Sequence, residues 1–236
     1  MIIIVFAFKT LSEYLERDIG YEVERPDACP SKKCSRRNCF WKHTAYSRYV
    51  IEDDEAVLLR IQRFRCRYCH LVISCLFSFL VPYRRYSARI VSAASEIYTT
   101  APATLPLESY RKVAGDHSCA RMSVYRWTDI LCTKAKRLHS QVQKEFILSG
   151  RPWQVLSAVP ENGSSPSSCR AKSAKKKERL DALFLLIEIT KVFLGSVTCA
   201  LEGLHAHFLK NIESRQLILA GGKIAHQTQQ RMGRLF

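Results

Sequence analysis

Acidic residues are scarce in this chain of 236 residues. Asp and Glu number 21 against 37 Lys and Arg, which gives a formal net charge of +16 at pH 7. A charge balance of this kind concerns partners rather than fold, and it favours a polyanion. Nucleic acid is the first candidate, and an anionic membrane surface is the second.

A cleavable secretion signal is also lacking. Residues 1–8 are apolar, but they lack the basic n-region of a signal, and Lys9 follows without a small-residue cleavage site. We interpret this segment as a buried strand, followed by a helix-like segment at residues 11–17. The ten cysteines are therefore not expected to form a secreted disulfide framework. A reducing cytoplasm with metal-bound thiolates is the expected setting.

No charge-free hydrophobic run is long enough to cross a bilayer. Residues 180–201 approach the required length, but Asp181, Glu188 and Lys191 interrupt them, and each charge is costly at the centre of a membrane. A buried or dimer-forming helix is predicted instead, and no membrane partner is expected. The hydrophobic content of 47% is sufficient for packed cores, which excludes a disordered chain.

Four of the cysteines form two short pairs, Cys29 with Cys34 and Cys66 with Cys69. Thiolates are good ligands for a tetrahedral zinc ion. Residues 46–50 and 57–64 are rich in β-branched and aromatic side chains, and the polar residues 52–55 between them predict a turn. A hairpin of this kind returns the second pair to the first. The pattern therefore predicts a zinc ribbon with a structural zinc ion.

The first pair leaves alternatives open, because four residues between its cysteines is a loose spacing. Cys39 competes with Cys29 or Cys34 as a ligand, and His43 is a further candidate. The other interpretation is that these thiols are buried as small apolar groups without a metal.

The segment that follows the ribbon places two cations between aromatic residues. Residues 71–81 are interpreted as a ribbon strand and a packed loop that ends at Pro82, and Arg84 and Arg85 come next, flanked by Tyr83 and Tyr86. Such a pair can bind phosphates while the rings pack against the domain. A solvated basic turn is the alternative.

Residues 83–148 are predicted to form a helix-turn-helix domain. Apolar residues recur at helical spacing from Ser87 to residue 99, a short second helix is predicted at 107–114, and a third begins near Ser118. The start of the third helix then enters the major groove, with Val124 and Trp127 in the core. The side chains expected to contact DNA are Arg121, Ser123, Tyr125 and Arg126. The alternative is a plain three-helix unit with solvated arginines.

Residues 149–178 are predicted to be a linker, because prolines and serines are interspersed through them. The linker ends in the basic run 170–179, in which Lys175, Lys176 and Lys177 can follow a nucleic-acid backbone. A flexible, solvated run is the alternative. A helical C-terminal region at residues 179–236 completes the chain. Its His205 and His207 lie on different helix faces and make a poor metal pair.

The cysteine block resembles the zinc-ribbon proteins that bacterial insertion sequences encode, a transposase-like group that is often described as a domain of unknown function. The resemblance rests on Cys29-Pro, His43, Tyr46-Ser-Arg48, Arg63-Phe-Arg-Cys66-x2-Cys69, Phe77, Leu80-Val-Pro-Tyr83 and Arg85-Tyr86-Ser87. Two later segments are similar to the helices of that group's helix-turn-helix: Ser109-Tyr-Arg-Lys-Val113 and Ser123-Val-Tyr-Arg-Trp127. The resemblance covers residues 1 to about 146, and less closely the tail to Arg231-Met-Gly-Arg-Leu-Phe236. It implies duplex DNA as a partner, with a separate transposase and a second copy of the chain as candidates, in the bacterial nucleoid.

The chain departs from transposases in one respect that bears on activity. Acidic-triad transposases hold two metal ions in a ribonuclease-H-type core, which requires a mixed α/β region of about a hundred residues or more. The residues after Gly150 are predicted to be a linker and helices. No enzyme activity is therefore expected.

The sequence as a whole predicts an α+β protein in four parts: an N-terminal strand, helix and zinc ribbon (1–82), a helix-turn-helix domain (83–148), a basic linker (149–178) and a helical C-terminal region (179–236). We expect a zinc-dependent DNA-binding protein that acts as an accessory or regulatory factor. One alternative is a protein-interaction module whose surface is the apolar helix after Leu180. The other is a metal-dependent nuclease or transposase that uses Asp116, Asp129 and Asp181.

Overall fold

The computed structural model describes residues 2–5, 8, 10–16, 21–31, 33–81, 84–101, 109–150, 165–195 and 199–207. These residues divide into two compact units, one up to Ala88 and the other from Arg89 onward. The first unit contains the β-strands and the second contains only helices. The predicted α+β class is therefore confirmed, while the four predicted segment boundaries stay predictions.

The first unit is built on a four-stranded sheet. Its strands are β1 (Ile2–Val5), β2 (Phe40–Glu52), β3 (Glu55–Cys66) and β4 (Val72–Phe77), with α1 (Leu11–Glu16) between β1 and β2. The strand order is β1-β4-β3-β2, in which β2, β3 and β4 are antiparallel and β1 pairs with β4 in parallel. The predicted N-terminal strand and the short helix after it are both present.

The β2–β3 hairpin turns at the acidic cluster, as predicted. Glu52 pairs with Glu55, so the loop contains only Asp53 and Asp54, whose φ angles are +48° and +67°. A two-residue turn with both φ angles positive matches the right-handed twist of the strands, and Asp tolerates this conformation. Both strands extend beyond the predicted bounds, since pairing continues to Phe40 and Cys66. Charged residues such as Lys42 and Arg65 interrupt the apolar pattern there, which hid these strand ends from sequence analysis.

An irregularity in β2 changes which face of the hairpin is buried. The register shifts between His43 and Tyr46. On β3, Leu59 and Ile61 are buried near the turn, whereas Phe64 and Cys66 are buried at the other end. Alternate residues of a strand point to opposite faces, so the two ends of the hairpin bury opposite faces. The face opposite Phe64 and Cys66 is left partly exposed.

The second unit contains α2 (Ala88–Thr100, from Arg89 onward), α3 (Tyr110–Asp116), α4 (Arg121–Leu148), a 3-10 helix (Pro166–Arg170), α5 (Ala174–Leu194) and the helical residues 200–207. The helix α4 packs mainly against α5 and also against α3. The α4–α5 contact buries Leu138 and Phe146 on one helix and Leu183 and Phe193 on the other. This nonlocal pair forms the core of the unit.

The basic run at residues 170–179 is ordered, in contrast to the predicted linker. It forms the end of the 3-10 helix and the first turns of α5, whose N-cap is Ser173. The Ser173 hydroxyl accepts a hydrogen bond from the Lys176 amide at 3.3 Å, and Ala, Lys and Glu then favour a helix. The helix ends before Gly195, at φ +80°, rather than continuing to residue 201. The prolines and glycine predicted to break the chain at 152, 160 and 163 lie outside the described residues.

None of the helices in the described part of the chain is long and apolar enough to cross a membrane. The charged residues Asp181, Glu188 and Lys191 lie on α5. The apolar residues of this helix pack within the second unit. Leu180, Leu183, Leu186 and Ile187 are all fully buried.

Candidate metal centre and nucleic-acid interface

The structure brings the four predicted zinc ligands together. The sulfur atoms of Cys29, Cys34, Cys66 and Cys69 all lie within 4.8 Å of one another. The Cys29–Cys69 and Cys34–Cys66 sulfur distances are 3.4 and 3.7 Å, too long for a disulfide of about 2.05 Å. Zinc–sulfur bonds of about 2.3 Å at tetrahedral angles place sulfur atoms about 3.8 Å apart. The cluster therefore has the dimensions of a four-thiolate metal site.

The first cysteine loop reverses the chain on itself, which explains how its wide spacing still presents two sulfurs. The Cys29 amide donates to the Arg36 carbonyl at 2.8 Å, and the Cys34 amide donates to the Ser31 carbonyl at 3.0 Å. Just beyond, Ser35 adopts a φ angle of +46°. An antiparallel bridge and one backbone turn thus hold the loop that carries Cys29 and Cys34.

The second cysteine loop connects β3 to β4. The Cys66 amide donates to the Leu71 carbonyl at 2.9 Å, and the His70 amide donates to the Cys66 carbonyl at 3.1 Å. His70 has a φ angle of +58°, which allows the tight reversal. The position of Cys66 at the end of a paired strand fixes this loop in the fold.

The electrostatics of the cluster favour a cation. Burial raises the pKa of the Cys29 thiol, and hydrogen bonds with the neighbouring thiols add to the effect. Burial works to raise the pKa of the Cys66 thiol, but hydrogen bonds from the amides of Cys69 and Tyr68 outweigh it, with smaller contributions from the neighbouring thiols, and the pKa is lowered to about 6. Several thiolates this close repel one another, whereas a dication stabilises all of them in the charged form.

Neither alternative ligand belongs to this group of sulfurs. The Cys39 thiol is buried and donates to the Arg36 carbonyl at 3.1 Å, while the Cys39 carbonyl accepts from the Arg67 amide at 2.8 Å. Burial raises the pKa of Cys39 to about 11. Cys39 therefore connects the two cysteine loops from outside the cluster. His43 lies on β2 with its ring 5.7 Å from that of Trp41, also outside the cluster.

Arg84 and Arg85 lie on a segment that is hydrogen-bonded to the end of β2. The Ile51 amide donates to the Arg85 carbonyl at 2.7 Å, and the Ser87 amide donates to the Ile51 carbonyl at 3.3 Å. The Arg85 side chain is exposed and that of Arg84 is half-buried. The arginines thus sit on a fixed backbone, although Tyr83 lies outside the described residues.

The residues predicted to contact DNA from the third helix lie in the first turns of α4. Arg121 and Arg126 are exposed, and Ser123 and Tyr125 are half-buried. The two residues assigned to the core, Val124 and Trp127, are buried as predicted. Residues 117–120 join α3 to α4, a length typical of a helix-turn-helix. The helix-turn-helix arrangement itself stays a prediction.

The structure brings the lysine run to the same surface as α4. The Lys176 ammonium lies 5.0 Å from the centre of the Tyr125 ring and 5.6 Å from that of Tyr110. Lys175 and Lys177 are exposed beside it. Two segments that the sequence analysis assigned separately to DNA binding therefore meet in one place.

Tyr110 is a residue of this site that sequence analysis missed. Its ring stacks on Tyr98 at 3.8 Å and meets the Tyr125 ring edge-on at 5.5 Å. Burial raises its pKa, and hydrogen bonding and charge interaction with Tyr98 add to the increase. The three tyrosines come from three different helices, so no local spacing in the sequence could have grouped them.

Two of the three acids considered for nuclease chemistry have structural partners. Asp129 lies 3.7 Å from the Arg179 guanidinium, and Asp181 accepts from the Ser165 amide at 2.8 Å. Together with Asp116 they form no metal-ligating group; in the part of the chain that the structure describes, the four cysteines are the group that does. Nor does a metal pair form from the two C-terminal histidines, since His207 is hydrogen-bonded to Glu145.

A family model described as a domain of unknown function, DUF6431, matches residues 29–127. The match begins at the first cysteine of the metal cluster and ends within the first turns of α4. No curated protein and no solved structure matches the chain. The matched domain has no assigned function and brings no link to an enzyme family, so the resemblance to insertion-sequence proteins stays a prediction.

Proposed function

We propose that this chain is a zinc-dependent DNA-binding protein of a bacterial mobile element, and that it acts as an accessory or regulatory factor without a catalytic core. The observation that carries the proposal is the meeting of Tyr125 and Lys176 on one surface. This surface collects positive charge from the beginnings of two helices, next to the loop that joins α3 and α4.

Zinc is the metal that best fits the cysteine cluster. Four soft thiolates at tetrahedral distances are a typical structural zinc site. The four sulfurs would fill the coordination sphere of a tetrahedral ion and leave no position for water or substrate, so the metal would have a structural role. The ion would join two loops that are far apart in sequence and so stabilise the first unit.

Duplex DNA is the partner that best fits the second unit. With α3 and α4 acting as a helix-turn-helix, the start of α4 enters the major groove. Arg126 then reaches base edges, while Arg121, Lys175 and Lys177 contact phosphates. A net charge of +16 supports this partner through its long-range attraction for a polyanion.

The alternative of a protein-interaction module is less well supported. It requires the apolar side of the helix after Leu180 to be available to a partner. That side is buried against the rest of the second unit, as the full burial of Leu183 and Leu186 shows. The starts of α4 and α5 instead present exposed cations, among them Arg121, Arg126 and Lys175, which favour a polyanionic partner.

The resemblance of the cysteine block and of the segments in α3 and α4 to insertion-sequence proteins supports the mobile-element context. An end of such an element is the expected target, a separate transposase and a second copy of the chain are the candidate protein partners, and the bacterial nucleoid is the expected location.

Selection of bound fragments from random duplex DNA tests this proposal. The zinc-loaded full chain should enrich a defined motif, and a two-fold symmetric motif would indicate a dimer. If no motif is enriched and duplex binding does not weaken with rising salt, the proposal is wrong.

A further inference from the structure

One face of the β2–β3 hairpin carries exposed rings and arginines close to the metal cluster. Trp41 pairs with Arg65 and His43 pairs with Arg63, so these four side chains lie on one face of the sheet. Tyr46 extends the row past the register shift, because its partner Ile61 is on the same face of β3 as Arg63. We call this set of five residues the Trp41 face.

The rings of the Trp41 face are accessible. Trp41 is 40% exposed and Tyr46 is 38% exposed. Large aromatic residues are ordinarily buried on folding, because exposing them forfeits the free energy of transfer from water. Exposure alone does not single out this face, because Tyr49 on the opposite face is 55% exposed. The Trp41 face differs in that its rings lie beside Arg63 and Arg65.

The polar groups of this face are held in position. The Arg63 guanidinium donates to the carbonyl and the hydroxyl of Thr44 at 2.9 and 2.6 Å, and lies 5.7 Å from the centre of the Tyr46 ring. The Trp41 and His43 rings lie 5.7 Å apart. Planar groups that are already fixed lose little conformational freedom when another planar group stacks on them.

The charge of the hairpin selects an anionic partner. Neither residues 40–51 nor residues 56–66 contain an acidic residue, and the hairpin's acids are confined to the tip at 52–55. Arginine beside exposed aromatic rings suits a ligand that offers both phosphate and a flat π-surface. In a duplex the flat surfaces of the bases are covered by their neighbours, whereas in a single strand they are available.

We propose that the Trp41 face binds single-stranded nucleic acid by stacking unpaired bases on Trp41 and Tyr46, with Arg63 and Arg65 near the phosphates. This site shares no residue with the proposed duplex-binding surface on α4 and α5, and the proposal does not depend on that surface. DNA and RNA share the recognised chemistry, and the experiment distinguishes the two.

The test uses the zinc-loaded full chain and fluorescence anisotropy with three labelled probes: oligothymidine, oligouridine and a DNA duplex of the same length. Trp41→Ala should weaken binding of the preferred single strand by roughly tenfold, as expected for the loss of one stacked base, and leave duplex binding unchanged. Trp41→Phe, which keeps a ring, should restore most of the affinity.

Tyr49→Ala is the matched control. Tyr49 is 55% exposed on the same strand but points to the opposite face, beside Leu58. Its replacement should leave single-strand binding unchanged. Zinc content measured on each variant shows that the fold around the cysteines is retained.

The proposal is overturned if neither single strand binds, or if Trp41→Ala and Tyr49→Ala weaken binding equally. Binding of either single strand with the expected Trp41 dependence supports it, and the tighter probe identifies DNA or RNA as the ligand. Arg126→Ala separates the two sites, since it should weaken duplex binding only. Failure of duplex binding would thus overturn the proposed function without affecting the Trp41 face.

Discussion

The Lys176 ammonium lies 5.0 Å from the centre of the Tyr125 ring, and this contact joins the first turn of α5 to the first turns of α4. A cation over an aromatic ring contributes about 0.5–1 kcal/mol at an exposed site. The basic run is therefore part of the packed second unit. Deleting residues 170–179 would remove the N-cap and first turns of α5, so the contribution of the run to DNA binding has to be measured by substitution.

The double variant Lys175→Gln/Lys177→Gln should bind duplex DNA with a weaker salt dependence. Both side chains are exposed on α5, and glutamine preserves helix propensity while removing charge. Each phosphate contact contributes about 0.9 to the slope of log K against log salt. The slope should fall by about 2 in titrations over a range of salt concentrations.

Lys191→Gln provides the control for that experiment. Lys191 lies in the last turn of the same helix and pairs with Glu188 at 2.8 Å. Its replacement should leave the slope unchanged. If the double variant and Lys191→Gln change the slope equally, or if neither changes it, the lysine run is solvated and makes no specific phosphate contacts.

Metal analysis of the purified protein should find one zinc ion per chain, held by the four clustered sulfurs. Cys66→Ser and Cys69→Ser should each lose zinc and lower the melting temperature of the first unit, because binding free energy contributes directly to folding in such sites. Cys39→Ser should retain zinc, since the Cys39 thiol donates to the Arg36 carbonyl rather than joining the cluster.

Cys169→Ser is the control for purification and thiol loss, because Cys169 is exposed and belongs to the second unit. Unchanged zinc content in both Cys66→Ser and Cys69→Ser would exclude the cluster as the metal site. Loss of zinc in Cys39→Ser but not in Cys34→Ser would show that Cys39, rather than Cys34, is the zinc ligand.

Local chemistry explains what the sequence predicted well. The turn at Asp53 and Asp54 and the loop between Cys66 and Cys69 each depend on residues that are close in sequence, so their patterns are readable. The meeting of the four sulfurs can also be predicted, because the hairpin between the two cysteine pairs brings them together. The ambiguity over Cys39 could not be resolved in the same way, because spacing alone does not show where a thiol points.

Nonlocal packing explains what the sequence did not reveal. The start of α5 was hidden because a run of lysines suggests a solvated linker, whereas the Ser173 cap and the contact with α4 make it helical. The register shift after His43 depends on pairing with β3, and without it the sequence does not show that Tyr46 lies on the same face as His43. The stack around Tyr110 requires three helices to be in place.

Glu96→Ala should destabilise the second unit, whereas Glu96→Gln should be much milder. The buried Glu96 carboxylate accepts from the Leu201 amide at 3.0 Å and from the Cys199 thiol at 3.1 Å. Alanine leaves the Leu201 amide without this acceptor, at a cost of about 1–3 kcal/mol. Glutamine keeps a carbonyl oxygen in reach. Urea unfolding of the three proteins measures the difference, and equal stabilities would show that residues 199–207 do not depend on this contact.

Arg126 and Arg121 should differ in how they affect DNA binding. Both are exposed at the start of α4, but Arg126 lies further along the helix, where a guanidinium can reach the two acceptors on a guanine edge. Arg126→Ala should therefore weaken binding to the selected motif by about 1–3 kcal/mol and reduce discrimination against other sequences. In the proposed binding mode Arg121, at the start of the helix, would contact phosphates, so Arg121→Ala should weaken binding to all sequences evenly.

Trp127→Ala is the control that shows how loss of stability affects DNA binding in the same assay. Trp127 is 3% exposed, and removing a buried aromatic side chain costs about 3–5 kcal/mol of stability. Thermal unfolding should show this loss for Trp127→Ala and no comparable change for either arginine variant, which validates the binding comparison. A folded Arg126→Ala protein that binds every sequence like the parent would mean that α4 does not read bases, since the guanidinium would then make no contact that depends on base identity.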